Sequence, residues 1–201
     1  MARTDYANLD ELKAFITMDA SVIDRDDLLT IALDAAHDDL EGDCGRVFYL
    51  DATATARTYD PLDRVIEVSG RQILLIDDIG NLTDFAVATG SGVTFTAVSG
   101  TVEYRPENAL VRGRAITSLM TPSGLWPTDP FTRVRVTARW GWPAVPPRVK
   151  EATLLQASRL YARRKSPQGA IGSADWGVMS VRKSDPDYSG LISQFVKPGF
   201  G

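Results

Sequence analysis

Residues 132–165 read TRVRVTARWGWPAVPPRVKEATLLQASRLYARRK, and inside this stretch one kind of structure gives way to another. The first nine residues alternate. Val134, Val136, Ala138 and Trp140 fall on one face of a strand, and Arg133, Arg135, Thr137 and Arg139 fall on the other. A half-buried antiparallel strand has this pattern. The PAVPP run cannot continue a central strand, whereas Pro147 suits the first turn of a helix. A helix is therefore predicted over residues 148–165, ended by SPQG. At 100° per residue, Val149, Ala152, Leu154, Leu155, Ala157, Leu160, Tyr161 and Ala162 spread almost all round it. Such a helix needs neighbours on most sides.

Those neighbours are sought upstream. Asn8 followed by Glu11 is a capping box that opens a short helix in LDELKAFITM. A second helix is predicted over residues 25–41, with Asp24 as its N-cap. Leu28, Leu29, Ile31, Ala32, Leu33, Ala35, Ala36 and Leu40 form its apolar arc, opposite Asp26, Asp27, Thr30, Asp34, His37, Asp38 and Glu41. His37 is thereby expected in solvent, and Asp39, inside the arc, at its edge or against an arginine. GDCG supplies a left-handed C-cap.

From Arg46 to Trp140 the texture is β. RVFYL, ATARTY, RVIEV, ILLIDDI, FAVAT, VTFTAV, VEYRP and TRVRVTARW are separated by turn formers such as DPLD, SGRQ, IGN and GSG. Asp77-Asp78 reads as a strand entering a turn rather than as a carboxylate pair for chemistry. The fold class is α+β: a small helical bundle with an inserted antiparallel β-sheet or barrel and an extended C-terminal arm. Its divisions are N-terminal helices at residues 1–45, the β insertion at 46–142, the closing helix at 143–165 and the arm at 166–201.

The arm carries Trp176, Val178, Met179, Val181, Tyr188, Leu191, Ile192 and Phe195, too many large apolar groups for a solvated tail. They are expected to dock on another polypeptide. Arg148, Arg159 and Arg163 fall within roughly 60° on the closing helix, and are expected to face Asp34 and Asp38 of a neighbouring copy. The basic run at that helix's end also complements its macrodipole.

Composition narrows the chemistry. The 201 residues are 44% hydrophobic and 24% charged, ordinary for a globular protein, and allow one sizeable core. The formal net charge of −4 argues against a dedicated nucleic-acid binder, yet suits a surface past which DNA slides. One cysteine, Cys44, excludes an internal disulfide, and one histidine leaves the common zinc sites unassembled. GSG and GAIG match no phosphate-binding or dinucleotide fingerprint. No apolar run reaches membrane-spanning length, and the first residues lack a secretory apolar region. No nucleophile–base spacing is visible, which disfavours a small hydrolase. Neither catalysis, cofactor nor metal is expected.

In order along the chain, YANLDELKAFI, DRDDLLTIALDAAHDDLEGDCGRVFY, TATARTYD, RVIEVSG, VRVTARWGWPAVPPRVKEATLLQASRLYARRKSPQG and DPDYSGLISQF together resemble the head-tail connector proteins of long-tailed bacteriophages and related actinobacterial prophages. These are also called adaptor or head-completion proteins. The resemblance spans essentially the whole chain, although the arm ends in VKPGFG rather than a basic run. It implies a virion protein at the capsid vertex, assembled in the host cytoplasm as a ring, commonly dodecameric, beneath the portal protein. The arm would reach the portal, the lower surface would receive a stopper or tail-completion protein, and DNA would pass through the channel. A small β-barrel that binds a ligand through exposed aromatics is the alternative.

Overall fold

The structure is a computed structural model, and it describes residues 6–163 and 186–197, with backbone alone at 170–171 and 179–180. The chain divides into two units, one made of residues up to Arg46 and from Val145 onward, the other of Val47–Ala144.

In the first unit, α1 (Leu9–Phe15) opens on the expected capping box: Asn8 accepts from the Glu11 backbone, and Glu11 accepts from that of Asn8. Helix α2 (Asp26–Cys44) starts after Arg25, which makes no side-chain cap, so Asp24 is not the N-cap. Its first turn is held instead by Lys13, a buried ammonium 2.6 Å from Asp26 that also donates to the Ala20 carbonyl. Gly45, at φ 60°, closes the helix in the left-handed region that glycine adopts most readily.

The core of this unit joins Leu12 of α1, Leu29, Leu33 and Ala36 of α2, and Ala157 of the next long helix. Leu154, Leu160 and Tyr161 pack beside them. The α2 wheel differs from expectation at two positions. His37 is 1% exposed, because the N-terminal segment crosses that side of the helix: the Tyr6 amide donates to His37 Nε2 at 3.2 Å, and the two rings meet edge-on. Ile31 lies outside the core, 63% exposed. Asp39 is at the edge of the arc and accepts from Gln156 Nε2 at 2.7 Å.

The second unit is an antiparallel sheet that does not close. It contains β1 (Thr55–Tyr59), a single helical turn α3 (Pro61–Arg64), β2 (Val65–Val68), β3 (Arg71–Ser91), β4 (Thr94–Ala97), β5 (Glu103–Arg105), β6 (Ile116–Met120) and β7 (Arg133–Trp140). The main path runs β1-β7-β3-β6-β5, and β2 and β4 fold back on β3. Val134, Val136, Ala138 and Trp140 are all buried, as their alternation requires. They pack with Leu74, Ile79, Ile116, Leu119 and Trp126 in one core.

ILLIDDI and FAVAT prove to be one strand of 21 residues, with no turn at Asp77-Asp78 or IGN. The first half pairs with β2 and β6 and the second with β7, Ile79 meeting both β6 and β7, so the turn formers produce register shifts between Ile79 and Ala86. Asn81 accepts from the Thr83 amide at 2.7 Å, and Asp84 takes φ 59°. RVFYL makes only an isolated bridge, Leu50 with Gly141, although Phe48 is fully buried against Trp142.

The first unit resumes with α4 (Pro147–Arg163), whose first turn is fixed by the Val149 and Lys150 amides donating to the Pro146 carbonyl. Backbone pairing joins β8 (Ala170–Ile171) to β9 (Met179–Ser180), and α5 (Pro186–Ile192) follows, extended by a 3-10 turn at Ser193–Phe195. Helix α4 packs on α1, α2 and α5, which answers its broad apolar distribution.

Two outcomes test this scheme. Gly141 lies at φ 102°, and a Cβ there would stand 1.7 Å from the Tyr49 carbonyl oxygen. Gly141→Ala is expected to cost about 2–4 kcal/mol in denaturant unfolding, since strain and overlap with backbone add. The second concerns Glu11, whose carboxyl is held below its ordinary value of 4.5 by the Lys150 hydrogen bond and then by the Asn8 amide. A lowered folded value stabilises above pH 4.5 and is lost as pH falls through it. Glu11→Gln should therefore lower the melting temperature modestly above pH 4.5, the pair being half-exposed, and leave it unchanged at acid pH where Glu11 is protonated, so that part of the acid limb flattens.

Candidate assembly surfaces

The residues expected to meet other molecules lie on three features of the first unit: the outer side of α2, the outer side of α4, and the C-terminal segment. On α2, Asp34 and Asp38 are exposed. On α4, Arg148 and Arg163 are exposed and Arg159 is half-buried. Asp38 and Arg159 are each engaged by a partner. Asp34, Arg148 and Arg163 thus present charge to solvent most openly.

The C-terminal segment is divided by the structure. Trp176, Val178 and Val181, with the Met179 side chain, lie outside the described residues. Tyr188, Ile192 and Phe195, expected to dock on another polypeptide, are all buried within the chain itself. Their i, i+4, i+7 spacing is the period of one helical face. Leu191 is half-buried beside them. A helix of seven residues is not stable alone, so burial holds it, at about 1.5–3 kcal/mol for each large side chain fully covered.

Polar contacts fix the same segment to the end of α2. The Tyr188 hydroxyl donates to Asp43 Oδ2 at 3.0 Å, and the Lys197 amide donates to the Cys44 carbonyl at 2.9 Å. Burial, then the Asp43 charge, raises the Tyr188 phenol well above its ordinary range. Burial, then Asp43, likewise pushes the Cys44 thiol up to about 11, which leaves little thiolate at neutral pH.

The β unit arranges its polar groups for structure. Asp77 accepts from Arg57 Nη1 at 2.8 Å and from the Tyr59 hydroxyl at 3.2 Å. Asp78 is buried, accepts from Trp142 Nε1 at 3.1 Å, and lends its carbonyl to the Gly141 amide. Trp140 Nε1 donates to the Thr55 carbonyl at 2.8 Å, and the Arg57 guanidinium lies 4.5 Å over its ring. Trp126, Trp140 and Trp142 are all buried, so the exposed aromatics that a ligand-binding barrel would display are absent from these positions. An open cleft along β5 is lined by Glu103, Arg105 and Glu107, and there Arg105 bridges the two carboxylates. Among the described residues no group of three or more His, Cys, Asp and Glu converges as a metal site. No described helix is long and apolar enough to cross a membrane.

No protein-family model and no curated protein matches the sequence. Solved structures do match in fold. A chain in the neck of an empty gene transfer agent particle, computed with C6 symmetry, aligns over 95% of this chain and 89% of its own, with a TM-score of 0.55 at 17% identity. A chain in the virion of the native gene transfer agent particle aligns over 100% of this chain and 94% of its own, with a TM-score of 0.56 at 16% identity. The fold is shared along the whole length.

The 188/192/195 period marks one helical face but does not say what covers it, and Ile31 carries no sequence signal of exposure, since it falls at the rim of an apolar arc. Cys44 supplies a direct readout of the docked segment. Removal of residues 186–201 is expected to raise the rate of Cys44 modification by a thiol reagent at pH 7.5 about tenfold or more. An unchanged rate, with the body still folded by melting, would show that the segment does not cover this end of α2.

Proposed function

We propose that this chain is a structural protein of a phage-like neck, a head-tail connector whose copies close a ring beneath a portal protein. The observation that carries the reading is the likeness, over nearly the full length of both chains, to a chain in the neck of a gene transfer agent particle. The sequence resemblance to head-tail connectors reaches the same role independently, from the ordered motifs between Tyr6 and Phe195. In this role the chain has no catalytic step. It supplies a platform for a stopper or tail-completion protein and a channel through which DNA passes.

Attachment to the portal is assigned to residues 164–185, with Trp176, Val178, Met179 and Val181 as the apolar contacts. Tyr188, Ile192 and Phe195 already cover the chain's own helices, and they fix the far end of this stretch to the body. Docking would bury the apolar surface of these contacts, and repetition round a ring would multiply a modest affinity through effective concentration. The acidic surface is repelled by phosphate, which favours passage of DNA over retention.

The test replaces residues 164–185 with a Gly/Ser sequence of equal length and leaves α5 in place. The variant is expected to fold with an unchanged melting temperature and to be lost from portal-bearing heads in sedimented particles. Head completion at normal yield would remove the attachment role.

A further inference from the structure

We infer that the outer face of α2 is a seat for a second copy of this chain, centred on Ile31 and completed by the outer face of that copy's α4. The inference rests on the ring reading proposed above. The inner face of α2 is spent on the core through Leu29, Ala32, Leu33, Ala36 and Leu40. On the opposite side Leu28, Ile31, Ala35 and Gly42 fall within about 60° of one another on the helical wheel. This is a second apolar line along a helix whose first is already covered. Leu28 and Ala35 are half-buried, and Ile31 stands out from between them. Asp27 and Asp34, both exposed, run along its flank.

A β-branched side chain fenced by carboxylates selects a partner of matching form, with an apolar contact bordered by cations. The first unit carries such a face on a different helix. On α4, Leu155 and Ala162 are bordered on one side by Arg148 and Arg163, all within about 100° on the wheel, and on the other by the exposed Glu151. Both arginines and Ala162 are exposed, and Leu155 is half-buried. Acidic and basic faces on separate helices of one chain make a heterologous pair, in which each copy offers one face to each neighbour. Repetition of that contact closes a ring or continues as a filament. Charge complementarity therefore names a second copy as the occupant, rather than an unrelated protein or nucleic acid.

Self-association is read by native mass spectrometry of the full chain, free and after capture on portal-bearing particles. Ile31→Asp is expected to weaken each copy–copy contact by about tenfold or more, while Ile31→Leu assembles as the unchanged chain does. Because Ile31 is exposed, the melting temperature of the free subunit should not move. Asp34→Arg and Arg163→Asp should each reduce assembly, and the two together should restore part of it. Assembly of Ile31→Asp at the unchanged level would overturn the seat. Rescue of Asp34→Arg by reversing Arg112 and Arg114 of the β unit, and not Arg163, would overturn the assignment to α4. Should the unchanged chain form no oligomer in either setting, the ring reading itself fails, a result distinct from both.

Discussion

Close packing against α4 is the constraint on which the helical unit depends. The helix meets α1, α2 and α5, and the positions it buries completely are small or branched: Val149, Ala152, Thr153 and Ala157. Small side chains let neighbouring backbones approach, and each contact then excludes water from several residues at once. Thr153 is tolerated in that interior because its hydroxyl donates to the Val149 carbonyl one turn back, at 2.9 Å. Larger residues at Ala152 or Ala157 would push apart several helices together.

The β unit obeys a different constraint, close passage of backbone over backbone at the end of β7. Gly80 and Gly141 both lie where a Cβ would overlap the opposing chain. The approach brings Trp142 onto Asp78 and seats Phe48 over the Trp142 ring, 5.3 Å between centroids. A buried carboxylate is costly without partners, and Asp78 has the indole as one of them. The acidic pair that first suggests chemistry is therefore part of a structural seam: Asp77 anchors Arg57 and Tyr59 on one side, Asp78 anchors Trp142 on the other.

What could be read from sequence, and what could not, follows from the range of the interactions involved. The strict alternation of β7, the α1 capping box, the Gly45 cap and the start of α4 after Pro146 are local, and each appears where its residues place it. The continuity of β3 is not local. Asp77-Asp78 and IGN are turn-forming in isolation, and pairing of the first half with β2 and β6 and of the second with β7 keeps the strand running. The burial of His37 likewise needs Tyr6, 31 residues away. Strand β6, ITSLM, was not anticipated, because its face is decided by β3 and β5 on either side of it. Among the surfaces, the exposed Asp34, Arg148 and Arg163 followed from helical spacing alone, but Ile31 emerged only once the N-terminal segment and α4 had claimed the rest of α2.

The anchoring of Lys197 to the carbonyl of Cys44 changes the mechanics of everything between α4 and α5. A chain tethered at one end can extend to its full contour, but one pinned at both ends can project only half as far. For residues 164–185 that limit is about 40 Å at ordinary extended spacing. A load applied between the two anchored ends is shared between α4 and the α5 contacts rather than carried by one of them.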